Sequence, residues 1–315
     1  MVETFSPSGL MIHIGYHKTG TTWLQDAVFN NARYGMASPW SRQTITDDFI
    51  IPPPFSFDRN DVLLRYQKKC DELRNQGLLP VLSHERMSGY PASGGFDSKT
   101  IADRLYSIFP EGRVIIIIRE QKSIIRSWYT QYIRDGGGLS IKKYMNPPEP
   151  DLLRVPHFNY DFYQYDRLID YYRTLFSRER VLVLPFELLK ANHLDFMKRI
   201  TKFANLPDIA DVPGNTRNEG IGLPWVTITR TANRLFHRNQ LNSGALFNAP
   251  IVIKNARRAA YFINRTLILR GMHNFLERNT RRYIAENLGD RYAESNTKTS
   301  KAIGIDLQEF GYDCR

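Results

Sequence analysis

A parallel α/β sheet wrapped by helices, with a basic helical region at the carboxyl end, is the fold class this sequence predicts, and three observations carry it. Short apolar runs alternate with segments of helical period from residue 10 to about residue 206. Such alternation lays strands side by side in parallel, with helices covering both faces. The run VIIIIRE, Val114 to Glu120, opens on five β-branched residues and is too short for a buried helix. It marks a strand buried on both faces. After Pro224 the pattern turns helical and basic, and no strand can be read there.

Taken in order, LMIHIG (Leu10 to Gly15) is a first strand, and a helix starts at Gly20 or Thr21 with Trp23, Leu24, Ala27 and Val28 at helical spacing. The proline-rich IPPPF (Ile51 to Phe55) is a loop before a charged helix from about Asp58 to Asn75. LLPVLSHE, Leu78 to Glu85, is the second strand, and a helix from about Ser98 to Phe109 stops before Pro110. After VIIIIRE, a helix from about Lys122 to Arg134 stops at the triplet Gly136–Gly138. A helix from about Tyr160 to Phe176, the strand VLVLPF (Val181 to Phe186) and a helix over about Leu188 to Leu206 complete the unit.

Composition narrows the classes. The 315 residues are 42% hydrophobic and 12% aromatic, enough for a buried core. No apolar run reaches the roughly 18 residues of a spanning helix. The opening MVETFSPSGLM has neither the basic start nor the apolar stretch of a secretion signal. Cys70 and Cys314 are too few for a disulfide framework, and no metal-ligand spacing occurs. The expectation is a cytoplasmic protein without a metal. Its net charge of +11 is concentrated between Arg217 and Arg282, where twelve basic residues face only Glu219 and Glu277. A localised excess of this kind reads as a surface for an anion: nucleic acid, anionic lipid or acidic glycan.

The most specific stretch is HIGYHKTGTTWLQ, His13 to Gln25. Gly15 and Gly20 have the spacing of a phosphate loop, but Thr21 follows Gly20 and the lysine, Lys18, lies inside the loop. A helix amino terminus offers unpaired N–H groups and the positive end of the dipole to an anion. Gly20 permits close approach, Thr21 and Thr22 add hydroxyls, and Lys18 adds charge. A magnesium–nucleotide site also wants a carboxylate at a neighbouring strand end. VIIIIRE ends instead in Arg119, whose forked guanidinium suits a second phosphate bound directly. Parallel sheets bind ligands at the carboxyl ends of their strands, and the loop, Glu85 and Arg119 all fall there.

HKTGTTWL resembles the 5′-phosphosulfate loop of sulfotransferases that use 3′-phosphoadenosine 5′-phosphosulfate (PAPS). IIREQKSIIRSWY is similar to the family's second signature, an arginine at a strand end and a serine eight positions on, here Arg119 and Ser127. VLVLPFELLKANHLDFMKRITKFANLP and YAESNTKTSKAIGIDLQEFGY resemble bacterial members, so the similarity spans most of the chain. It implies one sulfotransferase domain over 1–315, with an α/β cofactor-binding core over 1–215 and a mostly helical basic extension over 216–315. It implies that Lys18, Thr19, Gly20, Thr21 and Thr22 hold the 5′-phosphosulfate, that Trp23 lies beside the adenine, and that Arg119 and Ser127 hold the 3′-phosphate. The resemblance also implies that Lys18 stabilises the leaving phosphate. Many carbohydrate-acting members place a glutamate base after the second strand, which SHERMSG matches with Glu85 as the catalytic carboxylate.

His84 is the alternative base; side chains alternate along a strand, so the two are expected to point apart. Glu85 could also pair with an arginine and only shape the site. His17 reads as positional, and the aromatic segment HFNYDFYQY, which begins at His157, as a wall or as ordinary packing. Arg217 and Asn218 match the family loosely and carry no assignment. The expected acceptor is a hydroxyl of a glycan or glycolipid, with the basic segment 217–282 touching an anionic inner membrane surface. A P-loop kinase or NTPase is disfavoured by the shifted lysine and by Arg119. A noncatalytic nucleic-acid-binding protein is motivated by the basic segment alone, with no accompanying motif, and no nucleic acid is expected.

Overall fold

The computed structural model describes residues 9–148, 158–212, 223–239, 241–242, 244–249, 251–256 and 270–315. Five strands form an all-parallel sheet in the order β2-β3-β1-β4-β5, with β1 Met11–His13, β2 Met36–Ala37, β3 Leu79–Ser83, β4 Arg113–Ile118 and β5 Val181–Pro185. Val114 to Ile118 are fully buried, as a β-branched run with helices on both faces requires. Val114 faces Val181 and Ile118 faces Pro185, so β4 and β5 pair along nearly their whole length.

The chain divides into two compact units. The first comprises Met1–Glu120, Asn159–Thr216 and Tyr292–Arg315; the second, Gln121–Phe158 and Arg217–Arg291. In the first unit, one sheet face buries Met11, Val81, Ile115, Ile117 and Leu184 beneath Trp23, Leu24, Val28, Phe196, Met197 and Ile200. These strand residues share a face because side chains alternate along each strand.

Local chemistry sets the helix boundaries. The helix that opens at α1 (Thr21–Trp23) widens to π winding over Leu24–Phe29, and α2 (Arg42–Ile45) does the same over Thr46–Ile50. Asp58 caps α3 (Arg59–Asn75), accepting from the N–H groups of Asn60 and Asp61 at 2.9 and 3.0 Å. Its buried Val62, Tyr66, Cys70 and Leu73 form one stripe at helical spacing. Then follow α4 (Ser98–Ile108), α5 (Gln121–Arg134), α6 (Ile141–Met145) and α7 (Tyr165–Phe176).

Several elements differ from the sequence reading, which lacks the short α2 and α6 and runs one helix through Tyr160–Tyr163, a 3₁₀ turn ahead of α7. The single helix expected over Leu188 to Leu206 is two, α8 (Phe186–Ala191) and α9 (His193–Phe203). Asn192 leaves the helical region, and its side chain accepts from Asp195 N–H at 3.0 Å, restarting the helix as a cap. The edge strand β2 has only two residues, too short for any period to register.

The second unit holds α5, α6, α10 (Leu223–Phe236) and α11 (Arg270–Leu288). Asn233, wholly buried, donates to Ile133 O and Gly137 O at 2.7 and 3.0 Å, satisfying carbonyls at the end of α5. At Gly137 a Cβ would fall 2.2 Å from the Tyr132 ring, so the glycine triplet is required by packing as well as by helix termination. α12 (Ala293–Ile303) returns to the first unit.

Candidate functional site at the carboxyl edge of the sheet

Because all five strands are parallel, their carboxyl ends share one edge. The chain leaves β1 toward β2 and β3 but reaches β4 and β5 on the other side, so connections diverge between β1 and β4. Open α/β sheets bind ligands at such a crevice. Beyond β1, Ile14 and Tyr16 N–H donate to Ile115 O and Ile117 O at 3.0 and 2.9 Å, carrying the chain along β4 to the loop. Gly15 is dictated by the buried His13, whose Nε2 would lie 2.7 Å from a Cβ there. His13 Nδ1 is 2.8 Å from Ser83 Oγ, which also accepts from Gln25 Nε2 at 3.1 Å.

The loop is a constrained turn. Lys18 has φ +68°, a left-handed conformation uncommon for a non-glycine residue. Its carbonyl accepts from Arg119 Nη1 at 2.7 Å, and the Arg119 guanidinium lies 5.1 Å over the Phe186 ring at the end of β5. Arg119 thus braces the loop from the end of β4. The buried Thr19 hydroxyl donates back to Tyr16 O. Gly20 has φ +83°, and a Cβ would stand 3.0 Å from Phe186 Cε2 and 3.2 Å from Leu189 Cδ2, so only glycine fits without strain. Thr21 is buried and its Oγ1 meets no partner among the described residues, while Thr22 is exposed. A buried hydroxyl lacking a partner beside a helix start fits a loop that binds an oxyanion.

Trp23 belongs to the core cluster, 7% exposed, with its ring edge-on to His193 at 6.2 Å. Ser127 is half-buried on α5 of the second unit. His157, Arg217 and Asn218 lie outside the described residues.

A second group of side chains gathers where β3 ends. The strand stops at Ser83, and Glu85–Ser88 form a 3₁₀ turn. His84 caps that turn: its Nδ1 accepts from Arg86 N–H at 3.0 Å. Its Nε2 is 3.3 Å from Thr46 Oγ1, whose hydroxyl donates to Arg42 O at 2.8 Å. These roles require a neutral ring protonated on Nε2. Burial, with the Arg42 and Arg86 charges adding to it against the pull of Glu85, lowers the His84 pKa to about 4.

The turn also removes the strand alternation expected to separate His84 from Glu85. Glu85 Oε2 lies 3.8 Å from His84 Nδ1, and no hydrogen bond reaches that oxygen among the described residues. Glu85 Oε1 pairs with Arg42, so the arginine pairing weighed for Glu85 does occur, with a partner 43 residues away that no local pattern singles out. Arg86 pairs with Asp97 and stacks 4.9 Å over Tyr90, whose ring stands edge-on to His17 at 6.1 Å. Burial first, then the charges of Arg86, His84, Arg42 and Lys18, lower the His17 pKa to about 3.

Three histidines therefore stay neutral where an unfolded chain would protonate them: the buried His13 and the half-buried His17, both lowered to about 3, and the buried His84, lowered to about 4. With folded values below the unfolded one of about 6.5, stability is full above that pH and falls as pH drops toward 4. We expect the urea midpoint to drop from pH 7.5 to pH 5 at unchanged slope, each such proton costing about 1 kcal/mol per pH unit. A midpoint that rises or stays level would refute this assignment.

No family model and no curated protein matches the chain. Among solved structures, it is similar to the crystal structure of a sulfotransferase from Alicyclobacillus acidocaldarius, with a TM-score of 0.57 and 15% identity over 96% of this chain and 98% of that one. The chain has a sulfotransferase fold. A sulfotransferase domain from the curacin biosynthetic pathway aligns over 98% of this chain and 99% of its own at a TM-score of 0.38 and 13% identity, a likeness too loose to bear on function. Among the described residues, no group of three or more His, Cys, Asp or Glu side chains is placed to hold a metal, and no helix is long and apolar enough to cross a membrane.

Proposed function

We propose that the protein is a PAPS-dependent sulfotransferase acting on a hydroxyl of a glycan or glycolipid. One observation carries the proposal: the loop holding Lys18 is braced by an arginine from the end of β4, where a magnesium–nucleotide enzyme would need a carboxylate. PAPS supplies the sulfuryl group and departs as 3′,5′-bisphosphoadenosine. The loop backbone around Thr19 and Gly20, with the Thr21 and Thr22 side chains, receives the 5′-phosphosulfate, and Lys18 neutralises charge on the leaving phosphate. Arg119 and Ser127 receive the 3′-phosphate, with Trp23 on the adenine side. Glu85 takes the proton of the acceptor hydroxyl, leaving His84 to hold the turn.

The fold and the loop geometry support this reading over its rivals; the acceptor class rests on Glu85 and the family resemblance. A cytoplasmic protein touching the inner membrane surface is the matching location. Calorimetry with 3′,5′-bisphosphoadenosine, ATP and duplex DNA tests the class. The bisphosphate should bind without magnesium and far more tightly than ATP. Arg119→Ala should weaken it about 10- to 100-fold, the scale of a charge-assisted phosphate contact. Preference for magnesium–ATP would restore the kinase reading, and preference for DNA the nucleic-acid reading.

A further inference from the structure

We propose that residues 244–249 and 251–256 in the second unit form a membrane-docking element that seats on an anionic lipid surface. Four large apolar side chains within seven residues face outward: Leu246, Phe247, Ile251 and Val252, exposed by 66, 60, 75 and 43%. Single exposed apolar residues are ordinary, but a contiguous group is a contact surface.

The group stands on a fixed platform. Phe247 and Ala249 N–H donate to Leu235 O and Phe236 O at 2.9 Å each, returning the chain onto the end of α10. Arg238 Nε and Nη2 donate to Ala245 O at 3.3 and 3.1 Å, and the Phe236 and Phe247 rings stack at 6.0 Å. Ala245 and Ile253 are buried and act as anchors, and Ile253 N–H donates to Ala249 O at 3.2 Å, while Leu246, Phe247, Ile251 and Val252 stay exposed.

Charge selects the occupant. Arg234, Arg238 and Lys254 are exposed in and beside this stretch. From Arg217 to Arg282 the sequence has twelve basic residues and two acidic ones, and one of those acids, Glu277, is already paired with Arg126 and Arg281. A second copy of the chain would bring like charge against like. Anionic headgroups complement the cations while the acyl boundary takes the apolar side chains, the arrangement of interfacial proteins. The inference is independent of the transferase chemistry and gives the expected membrane contact of the basic segment a defined point of entry.

The test is co-sedimentation of the full chain with phosphatidylcholine vesicles, with and without phosphatidylglycerol. The protein should pellet with the phosphatidylglycerol-containing vesicles at low salt, and less so as salt is raised. Leu246→Asp/Phe247→Asp should weaken partitioning by about 10-fold or more. Ile251→Asp/Val252→Asp, at sites farther from the Phe236 stack, should do the same. Bisphosphoadenosine binding is measured in parallel and should be unchanged in both variants, so the membrane and enzyme readings fail separately. Absence of vesicle binding at low salt, or variants that pellet like the parent, would overturn the proposal. So would a dimer in light scattering that the substitutions dissolve without any vesicle binding, which assigns the face to a second copy.

Discussion

Lys18→Asn is expected to cut turnover, read as release of 3′,5′-bisphosphoadenosine from PAPS, by about 10²–10³. Asparagine is chosen for the backbone. Lys18 sits at φ +68°, where alanine would add strain of its own, whereas asparagine tolerates the left-handed region. The carbonyl that accepts from Arg119 belongs to the main chain and survives the substitution. What disappears is the ammonium charge. A lysine serving only loop geometry predicts little change in turnover, so activity within a few-fold of the parent would sink its proposed role. A reduced urea midpoint in Lys18→Asn would show that the backbone had not been preserved. Lys18→Arg probes the same point from the other side: it keeps the charge but spreads it over a planar fork, so partial activity is expected.

How far the sequence could be read depended on how local each cause was. β4 was legible because five β-branched residues in a row admit one interpretation, and α3 because Asp58 and its stripe of buried residues lie on one stretch. The loop was legible because Gly15, Lys18, Gly20 and Thr21 act within a few residues of each other. Contacts across long separations were not. Arg42 has no feature that distinguishes it from other surface arginines until the fold sets it against Glu85. Strand alternation misplaced His84 relative to Glu85 because the strand ends at Ser83, two residues earlier than that rule requires. The break at Asn192 is intermediate: an asparagine inside a helical pattern signals a cap only if the chain turns there. Likewise, nothing periodic in the sequence told that Gln121–Phe158 would group with Arg217–Arg291.

Glu85→Gln is expected to lower turnover by about 10²–10⁴ while bisphosphoadenosine binding stays intact. The competing role, in which Glu85 only anchors Arg42, makes a different prediction. The Arg42 side chain is 56% exposed, and ion pairs so open to water contribute roughly 0–1 kcal/mol. Breaking the pair therefore leaves the fold standing, and changes in turnover report on chemistry. If Glu85 serves only Arg42, then Glu85→Gln and Arg42→Ala should behave alike, and the double variant should be no worse than either. If Glu85 is the base, Arg42→Ala should retain most of the activity that Glu85→Gln loses. His84 is a poor substitute, because Nδ1 is committed to Arg86 N–H and Nε2 faces Thr46 Oγ1. Protonating Nδ1 would break the cap that starts the turn, and burial already opposes the charge. His84→Gln should accordingly lower stability more than it lowers turnover per folded molecule. The reverse ranking, with turnover abolished in His84→Gln and kept in Glu85→Gln, would move the base to the histidine.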